Sequence, residues 1–266
     1  MLLLPYSKNP SRILRGAMKT LEEIQKERPY LKEQLDLYRK LQGLRSLSFS
    51  TEGYIPMEKG FYPPDTLVYV ITEVSKILGI EIERLNWVKD MITSGNIDFR
   101  RLPIGDIQLK HNEYSQEELD VILYFISKPF FLHEKQKLSL DGIYWDEGKC
   151  PVCNSVPSVS IIGREEKRRF YCSYCETVGY WKRIGCPSCL TEVPEDITIV
   201  MLDAEEGIRA DLCERCKNYY KSFNSSMLNE YTEEMLDLIS LPLDIIVQQK
   251  GYHRSSPNPL GMKRLL

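Results

Sequence analysis

Along the first 140 residues, apolar side chains recur every three or four positions and turn-formers gather between the runs, which predicts a series of amphipathic helices. Ser11 offers a cap for a helix with Leu14, Met18, Leu21 and Ile24 on its inner face. Pro29 suits the first turn of a second helix, whose buried side carries Leu31, Leu35, Tyr38, Leu41 and Leu44. Residues 49–64 contain Gly53, Pro56, Gly60, Pro63 and Pro64 and predict a long loop. Behind Asp65, Leu67, Ile71, Val74 and Leu78 form one stripe that Gly79 can end, and a short helix follows over 81–94. Ser115 with Glu118 three residues on is a capping-box signature ahead of Leu119, Ile122, Leu123 and Ile126.

From Gly142 the period changes. Short β-prone runs at 158–162 and 169–172 are broken by turn residues, and helical spacing returns over 226–238 and 242–250 before a tail containing Pro and Gly. This places a boundary near 140–148 and divides the chain into a helical part (1–145), a central module (146–223) and a C-terminal helical segment with its tail packed on the module (224–266).

The central module is set apart by its cysteines. All eight lie there as four C-x-x-C pairs, Cys150/Cys153, Cys172/Cys175, Cys186/Cys189 and Cys213/Cys216, and the first 149 residues have none. A C-x-x-C turn lets two thiolates face one ion, so two turns complete a tetrahedral four-sulfur site and four turns make two sites. Sequential pairing leaves 18 and 23 residues between the knuckles of each site, enough for a hairpin, and an interleaved pairing is the rival. Zinc and iron both fit four thiolates, and spacing does not separate them. Dithiol exchange, the third chemistry open to C-x-x-C, is disfavoured by four copies in one module. The four pairs also suggest an internal duplication of one two-knuckle unit.

At 266 residues with 42% hydrophobic and 27% charged residues, the chain has the balance of a folded protein. A net charge of -3 gives no general affinity for nucleic-acid backbone. The start lacks the length and basic front of a secretory signal, and no run approaches a membrane span, so a cytoplasmic protein is expected. Arg164, Lys167, Arg168 and Arg169 form a basic strip expected to offset the charge of a four-thiolate site, with contact to a partner as the alternative. Tyr171, Tyr174, Tyr180 and Trp181 beside it would be the base-stacking surface of a nucleic-acid-binding ribbon. His111, His133 and His253 have no partners at ligand or triad spacing, and no phosphate loop or hydrolase motif occurs, so no catalytic residue is assigned and a non-enzyme is expected. Glu22, Glu23, Glu233 and Glu234 read as solvated helix faces. Gly251, Tyr252, Arg254 and Asn258 exceed what helix packing requires, and either carry a function or fold back to close the knuckle module.

The flanks of the pairs carry a resemblance. Cys-Pro-Val-Cys-Asn-Ser-Val-Pro from Cys150 is similar to the C-P-V-C-G-S-x-P segment of the formate dehydrogenase accessory protein family, FdhE, with Asn154 in place of Gly. Arg-Arg-Phe-Tyr-Cys-Ser-Tyr-Cys-Glu-Thr from Arg168, followed by Arg183 and the third pair, continues it, and Trp181 lies a little later than that family's tryptophan. Arg-Ala-Asp-Leu-Cys-Glu-Arg-Cys-Lys-Asn-Tyr from Arg209 resembles the family's R-A-E-x-C-x-x-C-x-x-Y segment, and Leu-Pro-Leu-Asp-Ile from Leu241 with Gly-Tyr-His-Arg from Gly251 through Asn258-Pro259 resembles its closing segment. The resemblance implies an α+β multidomain protein: an all-α N-terminal helical domain, tandem rubredoxin-like (zinc-ribbon-like) four-cysteine metal modules and a short helical C-terminal segment. It further implies two metal ions per chain, zinc or iron, and a cytoplasmic assembly factor. That factor would bind the catalytic subunit of a respiratory formate dehydrogenase before twin-arginine export. A rubredoxin-like iron redox protein acting on a partner enzyme is the main alternative, and a zinc-ribbon nucleic-acid binder the next.

Overall fold

The computed structural model describes residues 17–48, 64–94, 96, 113–138, 140–163, 167–202 and 205–265. Ser11, Leu14, His111, Arg164 and nearly all of the 49–64 loop fall outside these.

The helical half forms where apolar spacing and caps agree. Helix α1 (Leu21–Glu27) starts at a capping box in which Thr20 and Glu23 satisfy each other's backbone amides, so Glu23 is a cap rather than a plain solvated carboxylate. Met18, expected inside, is exposed. A 3-10 turn at Pro29–Leu31 leads into α2 (Lys32–Leu41), and Leu31, Leu35, Tyr38, Leu41 and Leu44 are all buried. Helix α3 (Pro64–Leu78) ends at Gly79, whose φ of 67° is the left-handed stop expected there. The segment expected as one short helix over 81–94 is a 3-10 turn, Ile82–Leu85, followed by α4 (Asn86–Thr93).

Helix α5 (Gln116–Lys137) begins at the Ser115/Glu118 capping box and runs through Pro129. An internal proline costs about 3 kcal/mol, but Phe125, Phe130 and Phe131 are almost wholly buried around it and their burial outweighs that cost. The helix is therefore central rather than amphipathic at the surface, with one side on α3 and the other on the first cysteine unit.

That unit begins the sheet. Its strands are β1 (Ile143–Tyr144), β2 (Val159–Ile162), β3 (Lys167–Tyr171), β4 (Val178–Lys182), β5 (Ile197–Met201), β6 (Ile208–Cys213), β7 (Asn218–Asn224) and β8 (His253–Arg254). The order is β1-β4-β3-β2-β7-β6-β5, with β8 also on β7. Strands β2–β4 and β5–β7 are two copies of one pattern, knuckle, strand, strand, knuckle, strand. Parallel pairing of β2 with β7 (Val159 opposite Lys221, Ile162 opposite Asn224) joins them into one continuous sheet. At Gly179 in β4 a Cβ would lie 1.8 Å from the Trp145 indole Nε1, so only glycine lets that ring lie on the sheet.

Helices α6 (Glu233–Ile239) and α7 (Leu241–Gln249) cover one face, and the tail folds back along β7 through β8. Arg254 enters the core there. Its guanidinium meets Asp237 at 2.7 Å and Asp244 at 2.8 Å, and Lys221 from β7 meets the same two carboxylates at 2.6 and 2.5 Å. Burial alone would raise the Asp237 carboxyl, but Arg254 and Lys221 outweigh it and hold the group below its ordinary value. Asn258 Oδ1 accepts from the amides of Leu260 and Met262, and the Tyr252 hydroxyl donates to Glu214 at 2.6 Å. The tail residues singled out by sequence thus have packing partners of their own.

Candidate metal centres

Each knuckle is a local structure. The carbonyl of the first cysteine accepts from the amide of the residue just after the second: Asn154 to Cys150 at 2.7 Å, Glu176 to Cys172 at 2.8 Å, Leu190 to Cys186 at 2.8 Å and Lys217 to Cys213 at 2.9 Å. Those four residues have φ between 58° and 61°, the left-handed region, and none is glycine. A side chain there costs about 1–2 kcal/mol, so four repetitions mark a geometry imposed by the knuckle.

The fold brings the knuckles together in sequential pairs. Cys150, Cys153, Cys172 and Cys175 form one cluster and Cys186, Cys189, Cys213 and Cys216 another, with all sulfurs of a cluster within 4.8 Å of one another. In the first, Cys150–Cys175 and Cys153–Cys172 are 3.3 Å apart, and in the second Cys186–Cys216 and Cys189–Cys213 are 3.6 Å. A disulfide would bring sulfurs to about 2.05 Å. The edge of a tetrahedron with metal–sulfur bonds of about 2.3 Å is about 3.8 Å. The spacing suits ligation, and each cluster can hold one ion.

The residue two places past each second cysteine supports this. Ser155 Oγ lies 3.2 Å from Cys153 Sγ and 3.1 Å from Cys172 Sγ, Thr177 Oγ1 lies 3.0 Å from Cys175 Sγ, and Asn218 Nδ2 lies 3.5 Å from Cys216 Sγ. Hydroxyls and amides so placed stabilise thiolate charge. Thr191, the fourth of the series, donates instead to Asp196 at 2.6 Å. Sequence reasoning passed over these residues, although a hydroxyl or amide at one fixed offset after four cysteine pairs was there to be read.

The clusters differ in access. All four cysteines of the first are buried, whereas Cys189 and Cys216 of the second are half-buried. Helix α5 covers the second knuckle of the first cluster: the Tyr124 hydroxyl and Lys128 Nζ donate to the Ser173 carbonyl at 2.9 and 3.0 Å, and Tyr174 meets the Tyr124 and Phe131 rings edge-on. Burial pushes the Cys153 thiol well up, while the neighbouring sulfurs bring Cys172 down despite burial, as expected when four thiols share protons in a closed space.

Several expected roles change. Arg168 is buried on Asp211 at 3.2 Å and donates to the Arg183 carbonyl, Arg169 pairs with Glu233 at 2.7 Å, and Lys167 lies over the Tyr144 ring, so each has another partner than the thiolates it was expected to offset. Tyr171, Tyr174 and Trp181 are buried, which removes them as a base-stacking surface, and only Tyr180 is partly exposed. Glu234, expected in solvent, is 3% exposed and bonded to Lys128 at 2.9 Å, Arg45 at 2.6 Å and the Tyr38 hydroxyl at 2.7 Å. The corrections at Arg168 and Glu234 share a cause: the middle strands β2 and β7 are covered, so polar residues beside them find buried partners. Of the histidines, His253 is exposed and His133 lies 3.7 Å from Glu134.

Comparison with known proteins bears on the same region. The family model for the FdhE C-terminal domain matches residues 184–260, which hold the second cluster and the tail. The FdhE homologue of Aquifex aeolicus is 28% identical over 225 residues, 82% of this chain and 75% of that one. Those of Proteus mirabilis and Pectobacterium carotovorum are 36% and 32% identical over 115 and 114 residues, 42% and 41% of this chain. Those two matches span only 37% and 36% of the relatives' own length. The crystal structure of the FdhE protein from Pseudomonas aeruginosa superposes with a TM-score of 0.58 at 22% identity, over 90% of this chain and 92% of that one, a likeness of fold. The matched domain, the homologues and the shared fold agree with the motifs around the cysteines: residues 184–260 match the FdhE C-terminal domain, and the chain is similar to FdhE proteins over most of its length.

Proposed function

We propose that this protein is a formate dehydrogenase accessory factor that binds the catalytic subunit of a respiratory formate dehydrogenase in the cytoplasm and supports its maturation before twin-arginine export. The observation that carries this reading is the joint presence of two four-cysteine clusters and the FdhE C-terminal domain that contains one of them. Cys150, Cys153, Cys172 and Cys175 hold one ion in this reading, and Cys186, Cys189, Cys213 and Cys216 the other. Four thiolates and a divalent ion carry a formal charge of about -2, stabilised by Ser155, Thr177 and Asn218. An ion so held would fix the knuckles and, if iron, supply one-electron chemistry. The parts 1–145, 146–223 and 224–266 act here as one client-binding unit in which α5 and the tail brace the cysteine units.

The test is co-expression with a tagged formate dehydrogenase catalytic subunit, anaerobic pull-down, and metal analysis of the same sample. Recovery of this protein with the subunit, and loss of formate dehydrogenase activity on its deletion, is the expected result. A clean pull-down without it refutes the function. The half-buried second cluster favours a second reading, a rubredoxin-like iron redox protein, because the partial opening at Cys189 and Cys216 gives a partner electronic access. Visible thiolate-to-iron absorption that bleaches on reduction would select it, and colourless protein with two zinc ions would remove it.

A further inference from the structure

The face of the sheet opposite α6 and α7 carries a site with no role in the reading above. Register places Ser160 of β2 beside Ser222 of β7, and Ser222 opposite Arg209 of β6. Arg168 from β3 reaches across to this row. Asp211 is almost wholly buried and receives Arg168 at 3.2 Å, Arg209 at 3.0 Å and the Ser222 hydroxyl. Two guanidiniums thus share one carboxylate, which leaves a positive charge over at the end of the row. Arg168 is further occupied by the Tyr220 ring, 4.7 Å from its centroid, and by the Arg183 carbonyl. Arg209 has no such second set of partners: its Nε is buried without an acceptor. The Nε itself is closed to solvent, but the Arg209 side chain is 30% exposed, and an incoming oxyanion would meet that exposed part of its guanidinium.

Arg209 lines an open cleft of about 660 Å³ together with Arg183, Met201, Asn224, Ser226 and Asn229. Among the described residues no carboxylate lines it. The volume is that of a small-molecule site rather than of a single ion. Guanidinium, hydroxyl and amide donors lie beside the apolar Met201 and Ile162. That is the donor set for an anionic head on a larger body, since arginine recognises phosphate and carboxylate by paired hydrogen bonds.

We propose that this cleft binds a small organic anion, a phosphate or carboxylate carried on a compact organic body, through Arg209 with Arg183 at the rim. The probes are inorganic phosphate, adenosine monophosphate and citrate, titrated by calorimetry into the full-length, anaerobically purified protein. Adenosine monophosphate or citrate is expected to bind at about 1 mM or tighter, more tightly than phosphate, with affinity that falls as salt rises. Which of the two binds separates a phosphate from a carboxylate head. Arg209→Gln should weaken the binding at least tenfold. Because Arg209 also supports Asp211, the exposed Arg183→Gln variant, with its fold checked by circular dichroism, should weaken it independently. No binding by any probe at about 10 mM would overturn the proposal. So would phosphate binding as tightly as the organic anions, or binding that survives both substitutions.

Discussion

Replacing Arg254 by methionine should cost this protein about 3–5 kcal/mol of stability, and the reason lies in the charge count beneath the tail. Lys221, Arg254, Asp237 and Asp244 have side-chain exposures of 0%, 0%, 1% and 0%, and each cation touches both carboxylates. Two positive and two negative charges cancel within the core. Methionine matches the aliphatic stem of arginine but leaves one carboxylate uncompensated where water does not reach, which sets the stated cost. Asp237→Asn alone leaves one cation over and should cost a similar amount. Combining the two leaves Lys221 with Asp244, balanced again, so the double variant should lose at least about 2 kcal/mol less than the sum of the single losses. Urea unfolding under reducing conditions, followed by the fluorescence of the buried Trp145 and Trp181, measures all three. If Arg254→Met costs less than about 1 kcal/mol, or if the two substitutions simply add, the quartet is not a closed charge balance and the argument fails.

Three further outcomes follow from the same geometry. Metal in the half-buried cluster of Cys186, Cys189, Cys213 and Cys216 should be lost to a chelator before metal in the enclosed cluster, so release followed by a colorimetric indicator should be biphasic, and Cys189→Ser should abolish the fast phase alone. Burial would raise the Glu234 carboxyl, but Lys128 and Arg45 hold it at about 2. Its contribution, on the order of 3 kcal/mol, should be complete above the unfolded value near 4.5, disappear as pH falls toward 2, and be missing from the acid denaturation curve of Glu234→Gln. Leu190 holds a φ of 60° with its side chain half in solvent, so Leu190→Gly should raise stability by about 0.5–1 kcal/mol, read as a higher urea midpoint, and a fall would show that the leucine makes contacts worth more than its strain.

What could be read from sequence was what is local. A knuckle is completed within five residues, so the four pairs and their hairpins announced themselves, and the capping box at Ser115 and the stripe from Leu31 to Leu44 are settled within a few turns of chain. The buried charges were illegible for the opposite reason. Glu234 looks like the solvated start of a helix, and its partners Lys128 and Tyr38 are 106 and 196 residues away. Arg168 alternates along a strand as a surface residue would, and only the pairing of β2 with β7, which no local pattern signals, brings Asp211 and Ser222 beneath it.

The same non-local join explains why two copies of one motif behave differently. The knuckles are alike in backbone, down to the left-handed residue after each second cysteine, so their difference must come from what packs on them. Helix α5 lies on the first unit and encloses its sulfurs, and that cluster is part of the main hydrophobic core. The second unit takes its support on one strand face, from α7 and the tail through Lys221 and Arg254, which leaves Cys189 and Cys216 partly open. A closed four-sulfur site acts as a brace, whereas one that is partly open can exchange its ion, pass an electron or meet a partner. Any function that uses the metal directly, rather than the shape it maintains, therefore belongs to the cluster of Cys186, Cys189, Cys213 and Cys216, which also lies inside the FdhE C-terminal domain.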